Sequence, residues 1–343
     1  MLPSTGHCQP HLNVAFLKVH KCGSSTVADL INRFGYKRKL IAALAPTRAH
    51  SILGSFGTIN ESDYKHPPGG KRWNIFTLHA IYNRTRFHQL MDPNTRYVTI
   101  LREPLRRLQS AFQYFHLETR FPGLKRQTPR GISYVTTYLK RPKFWDMRFR
   151  PPQSKEDREH LCFRNCMARD LGLKENDYDN FNAVQDFIEG IDNDFTTVMI
   201  LEYLPESLVL LKRRMCWTFH DILYWTSKKQ QYRLKANITG RMKDRFYKHN
   251  HADVMLYTHF KDSFQKQIKK EGADFLQEVQ HFKRVNENVS IFCRSIKPHT
   301  SRNMTVQKSK WSEAFSVNSF LCKSYDKPNV RKYWYPLLQS VYH

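Results

Sequence analysis

The sequence predicts an α/β fold in which a central, mainly parallel sheet is flanked by helices. Three apolar runs predict it: Val14-Ala15-Phe16-Leu17, Tyr97-Val98-Thr99-Ile100-Leu101 and Thr196-Thr197-Val198-Met199-Ile200-Leu201. Each has the length and content of a buried strand, and each is followed by apolar positions at helical spacing. Strands alternating with helices in this way build sheets covered by helices on both faces. A chain of 343 residues, 40% hydrophobic and 13% aromatic, has ample material for a core and reads as a folded globule.

The elements follow in order. After the first strand, Val27, Leu30, Ile31 and Phe34 fall at i, i+3, i+4 and i+7, the buried stripe of a helix that Gly35 is expected to stop. Residues from about Thr47 to Gly70, rich in Gly, Ser, His and Pro, read as loop. Asn74-Ile75-Phe76-Thr77-Leu78-His79-Ala80 is a candidate strand ending in a histidine. The strand at Tyr97–Leu101 gives way to Arg102-Glu103-Pro104, and Pro104 suits the first position of a helix whose apolar face is Leu105, Leu108, Ala111, Phe112 and Phe115. Residues 120–160, dense in Pro, Arg, Lys and aromatics without clear period, read as an irregular insertion bordering a substrate cleft or as a plain surface loop. Beyond the third strand, a helix through Ser207, Leu208, Leu210, Leu211 and Met215 is expected to end near Cys216-Trp217, and further helices fit 240–270 before a less regular tail. The expected organisation is a short segment at 1–11, one domain over 12–290, and an extension of that domain over 291–343.

A net charge of +26, from 56 Lys and Arg against 30 Asp and Glu, implies an anionic partner: nucleic acid, a membrane surface, or an anionic cofactor or glycan. Zinc-finger, RRM and basic-zipper patterns are absent and the cations are dispersed, so no nucleic-acid partner is expected. Seven cysteines, at 8, 22, 162, 166, 216, 293 and 322, show no repeated C-x-x-C. Cys162 and Cys166 read as two buried thiols on a local helical turn, His7, Cys8 and His11 lack a second ligand cluster, and no metal is expected. Sequons at Asn60, Asn83, Asn237, Asn288 and Asn303 favour the secretory pathway, although no apolar run is long enough for a signal peptide or a membrane span.

The chemistry concentrates in the turn after the first strand, Lys18-Val19-His20-Lys21-Cys22-Gly23-Ser24-Ser25-Thr26. A helix N-terminus presents unpaired N–H groups and partial positive charge, and here two lysines and a histidine join it. This is a site for a phosphate or sulfate that must be both held and reacted. It is not the nucleoside-triphosphate loop, whose lysine follows its second glycine; here the lysine precedes the only one. Arg102, at the end of another strand, and Ser110, two turns into its helix, make a second phosphate-ready pair. Lys18–Lys21, His79 and Arg102 all lie at carboxyl ends of strands, where open α/β sheets bind ligands.

These residues resemble known motifs. Lys21-Cys22-Gly23-Ser24-Ser25 resembles the phosphosulfate loop of sulfotransferases, and Arg102-Glu103-Pro104 with Ser110 resembles their second motif. Phe16-Leu17-Lys18-Val19-His20-Lys21, Glu202-Tyr203-Leu204-Pro205-Glu206-Ser207, Cys216-Trp217 and Tyr257-Thr258-His259-Phe260 resemble the galactose-3-O-sulfotransferase family in particular. The resemblance implies a P-loop-like sulfotransferase fold and transfer of the sulfuryl group of 3′-phosphoadenosine 5′-phosphosulfate (PAPS) to the 3-hydroxyl of a terminal β-galactose. Lys21, Cys22, Gly23, Ser24, Ser25 and Thr26 would hold the 5′-phosphosulfate, and Arg102 and Ser110 the 3′-phosphate. His20 would be the base, with His79 as the alternative, and Lys18 and Lys21 would stabilise developing charge. The acceptor, glycolipid or glycoprotein, stays open. So do a uronyl or heparan-type 2-O-sulfotransferase and an inactive polyanion-binding protein. The resemblance also implies a lumenal Golgi enzyme with an N-terminal membrane anchor, which the sequence lacks; a truncated chain is the first explanation.

Overall fold

Four short strands, all parallel, run in the order β2-β1-β3-β4: β1 (Val14–Leu17), β2 (Ile75–Phe76), β3 (Arg96–Leu101) and β4 (Phe195–Ile200). The computed structural model describes residues 8–47, 52–54, 59–153, 161–225, 236–296, 302–325 and 330–342. β1 sits in the middle with every residue buried, which is why its sequence is a continuous apolar run rather than an alternating one. The chain leaves β1 toward β2 on one side and returns to pair β3 on the other. The crevice at the carboxyl ends of β1 and β3 is therefore the switch point of the sheet. There the two strands stay in register, Leu17 opposite Thr99, and the Thr99 hydroxyl donates to the Leu17 carbonyl at 2.9 Å.

Helix α1 (Ser24–Lys37) buries Val27, Leu30, Ile31 and Phe34, the expected stripe. Its far side is covered too. Asp29 accepts from the Trp334 indole at 2.6 Å, Asn32 from the Thr77 hydroxyl at 2.6 Å, and Arg33 donates to the Asp221 and Leu223 carbonyls. Trp334 belongs to the helix Val330–Gln339, so part of the region beyond 290 packs on α1. Gly35 does not stop α1. It lies inside the helix, and a Cβ there would meet Ile75 Cγ1 at 3.0 Å, so its role is the close approach of α1 to β2; the left-handed residue after the helix is Lys39, φ 52°.

Other expectations also change. The β2 segment is a strand only at Ile75–Phe76; His79 sits beyond it, bridged to Ile52. The 120–160 region is not irregular where it is described. Helices at Leu124–Gln127, Tyr134–Lys140 and Pro142–Asp146 bury Leu124, Tyr138 and Trp145 against α3 (Pro104–Phe115) and Phe246, a second core. Helices of seven residues or fewer are too short to show a period. Residues 48–51 and 55–58 of the expected loop, 154–160 of the insertion, and His7 lie outside the described residues. The helices expected over 240–270 are Gly240–His249 and His251–Ser295, the latter broken at Gly272 (φ 75°), and the tail carries a hairpin, β5 (Met304–Val306) with β6 (Phe315–Val317).

Cys162 and Cys166 are not thiols but a disulfide, and Cys8–Cys216 and Cys293–Cys322 are two more; Cys22 is a buried thiol. All five sequon asparagines are exposed. Among the described residues no helix is long and apolar enough to cross a membrane, and no group of three or more His, Cys, Asp or Glu side chains is arranged to hold a metal ion.

Replacing Gly35 with valine forces branched methyl groups into the α1–β2 contact. The expected result is a loss of about 1–3 kcal/mol of stability at unchanged denaturant m-value, read by urea unfolding.

Candidate active site

The turn between β1 and α1 is built from two left-handed residues, Lys21 (φ 64°) and Gly23 (φ 73°). Gly23 is the N-cap of α1, and no side chain caps the helix there. A Cβ at Gly23 would meet Leu201 Cδ1 at 2.6 Å, so glycine is required both by its dihedral and by the approach of the β4 end. The Ser24 hydroxyl donates to the Val19 carbonyl at 2.9 Å and closes the turn on itself. Cys22 is wholly buried, and burial pushes its thiol far above the ordinary range, so its side chain is neither nucleophile nor ligand. The sequence expectation for this turn therefore divides. Ser25 is exposed and Thr26 half-buried, whereas Ser24 and Cys22 can offer a ligand only their backbone.

The corresponding turn at the end of β3 is closed. Glu103 caps α3 with its own carboxylate, accepting from the Leu105 N–H at 3.0 Å and the Arg106 N–H at 2.8 Å. Of these two adjacent helix N-termini, α1 is the one left open for an outside anion. The β3 turn supplies charge instead. Arg102 donates to the Lys21 carbonyl at 3.1 Å, which joins the two turns directly. Arg107, 1% exposed, donates to the Cys162 and Phe163 carbonyls. Ser110 lies buried on the same helix, 3% exposed. The Lys21 ammonium lies 3.4 Å from the ring centroid of Tyr114, itself 61% exposed. Burial first, then the charges of Arg102 and Arg107, lower the Lys21 pKa to about 8. Lys18 is half-buried at the end of β1.

His20 is buried beside this cluster. Both its backbone N–H (2.8 Å) and its Nδ1 (2.7 Å) contact Asp170 Oδ2. The other carboxylate oxygen, Oδ1, accepts from Arg169 at 3.2 and 2.9 Å. The His79 ring stacks on His20 with centroids 3.9 Å apart and planes 16° from parallel, and His79 Nδ1 lies 3.0 Å from the Lys18 carbonyl. A carboxylate and a carbonyl only accept, so both histidines carry their proton on Nδ1. Burial lowers the His20 pKa, opposed by Asp170 and reinforced by Arg169 and Lys18, which leaves the imidazole neutral at pH 7. Burial alone would raise Asp170, yet His20 and Arg169 hold its carboxyl well below the usual carboxylate range. His20, His79, Ala80, Ile81, Arg169 and Asp170 line a small cleft.

The structure thus brings together His20, Lys21, Gly23, Arg102 and His79. Sequence reasoning missed Asp170, Arg169 and Tyr114. Asp170 lies 150 residues from His20 in a segment with no motif, and Tyr114 reads as one more aromatic on a helix.

A model of the galactose-3-O-sulfotransferase family matches residues 2–312. The galactosylceramide sulfotransferase of Bos taurus is 29% identical over 293 residues, 84% of this chain and 66% of that one. The galactose-3-O-sulfotransferase 3 of Mus musculus is 28% identical over 330 residues, 93% of this chain and 72% of that one. The chain spans 66% of the length of the galactosylceramide sulfotransferases it matches. A solved sulfotransferase from Alicyclobacillus acidocaldarius overlaps 75% of this chain and 99% of that one, at 14% identity and a TM-score of 0.28, a likeness too loose to weigh.

Gly23→Ala should be destabilised by about 1–2 kcal/mol from the left-handed backbone alone, and further by the clash with Leu201. In a double-mutant cycle, Leu201→Ala in the Gly23→Ala background is expected to recover roughly 1 kcal/mol relative to the sum of the single variants, measured by thermal unfolding.

Proposed function

The chain belongs to the galactose-3-O-sulfotransferase family, and we propose that it transfers the sulfuryl group of PAPS to the 3-hydroxyl of a terminal β-galactose. The observation that carries this reading is the placement of His20: a neutral, anchored imidazole inside the same turn that leaves the α1 N-terminus uncapped. Lys21 and Arg102 stand in and beside the same turn.

The residues fit such a donor. The backbone N–H groups of Gly23, Ser24 and Ser25, the hydroxyls of Ser25 and Thr26, and Lys21 suit the 5′-phosphosulfate, the Thr26 N–H being donated to the Gly23 carbonyl. Arg102 and Ser110 suit the 3′-phosphate, Arg102 already being turned toward the Lys21 carbonyl. Burial, then Arg102 and Arg107, depress the Lys21 ammonium, and an anion beside it would favour its charged form. In the reaction the bond from sulfur to the galactose oxygen forms as the sulfur–oxygen bond to the donor phosphate breaks. The hydroxyl proton passes to Nε2 of His20, because Nδ1 is committed to Asp170. Lys21 and Lys18 offset the charge growing on the leaving phosphate. His79, stacked on His20, lines the acceptor side of the cleft rather than acting as the base, since its ring is held by a neutral carbonyl and not by a carboxylate. Galactose carried on lipid, as in galactosylceramide, or on a glycoprotein is the acceptor class this reading covers. Three disulfides and five exposed sequon asparagines support a secretory setting, the Golgi lumen.

Incubation with radiolabelled PAPS and a panel of terminal β-galactosides, galactosylceramide and lactosyl glycans included, is expected to label the galactose 3-position. His20→Ala should lower the rate by roughly 10²–10⁴-fold while adenosine 3′,5′-bisphosphate still binds. Full activity in that variant would remove His20 from the chemistry.

Lys21 gives a pH signature. With a pKa of about 8 before the anion arrives, it is partly neutral at pH 8, and a bound phosphate favours its charged form. Binding of the bisphosphate is therefore expected to take up roughly half a proton at pH 8 and to weaken as pH rises beyond it. Titration calorimetry in buffers of different ionisation enthalpy measures this uptake, and Lys21→Met should abolish it.

A further inference from the structure

We propose that Asp170, clamped by Arg169, is the positioning residue that fixes His20 as a base acting through Nε2. The inference rests on the reading of His20 given above and adds to it the group that sets its tautomer and orientation.

The geometry leaves His20 little freedom. Asp170 Oδ2 holds the main-chain N–H and the ring Nδ1 of the same residue, so one oxygen fixes both the backbone and the side-chain torsions. Arg169 occupies Oδ1 through Nε and Nη2, which stops the carboxylate from rotating to release the ring. The stacked His79 ring fixes the plane of the imidazole from one face. A carboxylate can accept but not donate, so the ring proton stays on Nδ1 and Nε2 keeps the lone pair that a base needs. When the ring takes up a second proton, the same carboxylate faces the new positive charge at hydrogen-bond distance, as in other carboxylate–histidine pairs that orient a base.

Asp170 is itself firmly placed. It ends the helix Cys166–Asp170, whose Ala168 N–H donates to Asp253 at 2.9 Å. Asn165 and Asn250 tie the start of that helix to the start of the long one, since each side-chain oxygen accepts a backbone N–H from the other segment. Arg107, from the helix that carries Ser110, holds the Cys162 and Phe163 carbonyls just upstream. The base-orienting carboxylate is therefore fixed to the donor-side helix through Arg107.

The charged and titratable groups facing His20 are Asp170, Arg169, Lys18 and His79, and of these only Asp170 raises its proton affinity. Asp170→Asn is nearly isosteric, and unchanged affinity for adenosine 3′,5′-bisphosphate reports that the fold is kept. In that variant kcat is expected to fall roughly 10²–10⁴-fold. The acid limb of the kcat/KM profile, set by protonation of His20, should move to lower pH. Imidazole 15N shifts should show loss of the pure Nδ1–H tautomer, a readout independent of turnover. Loss of activity with an unmoved limb and an unchanged tautomer would overturn the proposal and make Asp170 merely structural. Full activity of His20→Ala would overturn it differently, by removing the base assignment on which it rests.

Discussion

Everything at the site depends on the parallel pairing of β1 with β3. The two strands run side by side from Val14 opposite Arg96 to Leu17 opposite Thr99, and the Thr99 hydroxyl adds a side-chain tie at the end of β1. Because the pair is parallel, both strands end on the same edge of the sheet, and both following turns open into one crevice. A shift of one residue would turn every β1 side chain to the opposite face and separate Arg102 from the Lys21 carbonyl. Burial of all four β1 residues makes such a shift costly, so the core that holds the sheet also fixes the spacing of the site.

The two turns then take opposite solutions to the same problem. Each helix that begins at the sheet edge exposes N–H groups needing a partner. α3 satisfies two of its own with Glu103, and α1 leaves Gly23 without a capping side chain. A self-capped helix is more stable by itself, whereas an uncapped one keeps its field for a ligand. That Glu103 is also held by the Tyr247 hydroxyl, while its own N–H donates to Glu202, shows the α3 end committed to structure. The division of labour explains why the cations of the second turn, rather than its helix end, reach toward the first.

How much was legible in the sequence follows from what kind of interaction each feature needs. β1, its turn and the apolar stripe of α1 are local and repeat at fixed spacing, so Val14–Leu17, His20–Thr26 and Val27–Phe34 read directly, and the pairing of that turn with Arg102 followed from strand ends. Asp170 did not read, because a carboxylate far along the chain carries no periodic or motif signal until the fold delivers it to His20. Gly35 misled for the same reason: a glycine near a helix end reads as a stop, and only the proximity of Ile75 shows that it is there for packing. Cys162 and Cys166 have a spacing compatible with a helical turn, and the disulfide between them depends on a loop geometry that spacing leaves undetermined.

Arg107 links the turn after β1 to the chain segment that leads to Asp170. It is buried almost completely, and burial disfavours its charge, yet Asp253 and Asp170 offset part of that cost through their fields. Its guanidinium donates not to either carboxylate but to the carbonyls of Cys162 and Phe163, the strand of chain that leads to the helix ending in Asp170. After burial, Arg102 and this same arginine lower the Lys21 pKa in the turn after β1. The field of one buried cation thus reaches Lys21, while its hydrogen bonds hold the loop that leads to Asp170 and so stand behind His20. Burial and these carbonyl partners, which appear only in the fold, set Arg107 apart from the cations dispersed over the surface.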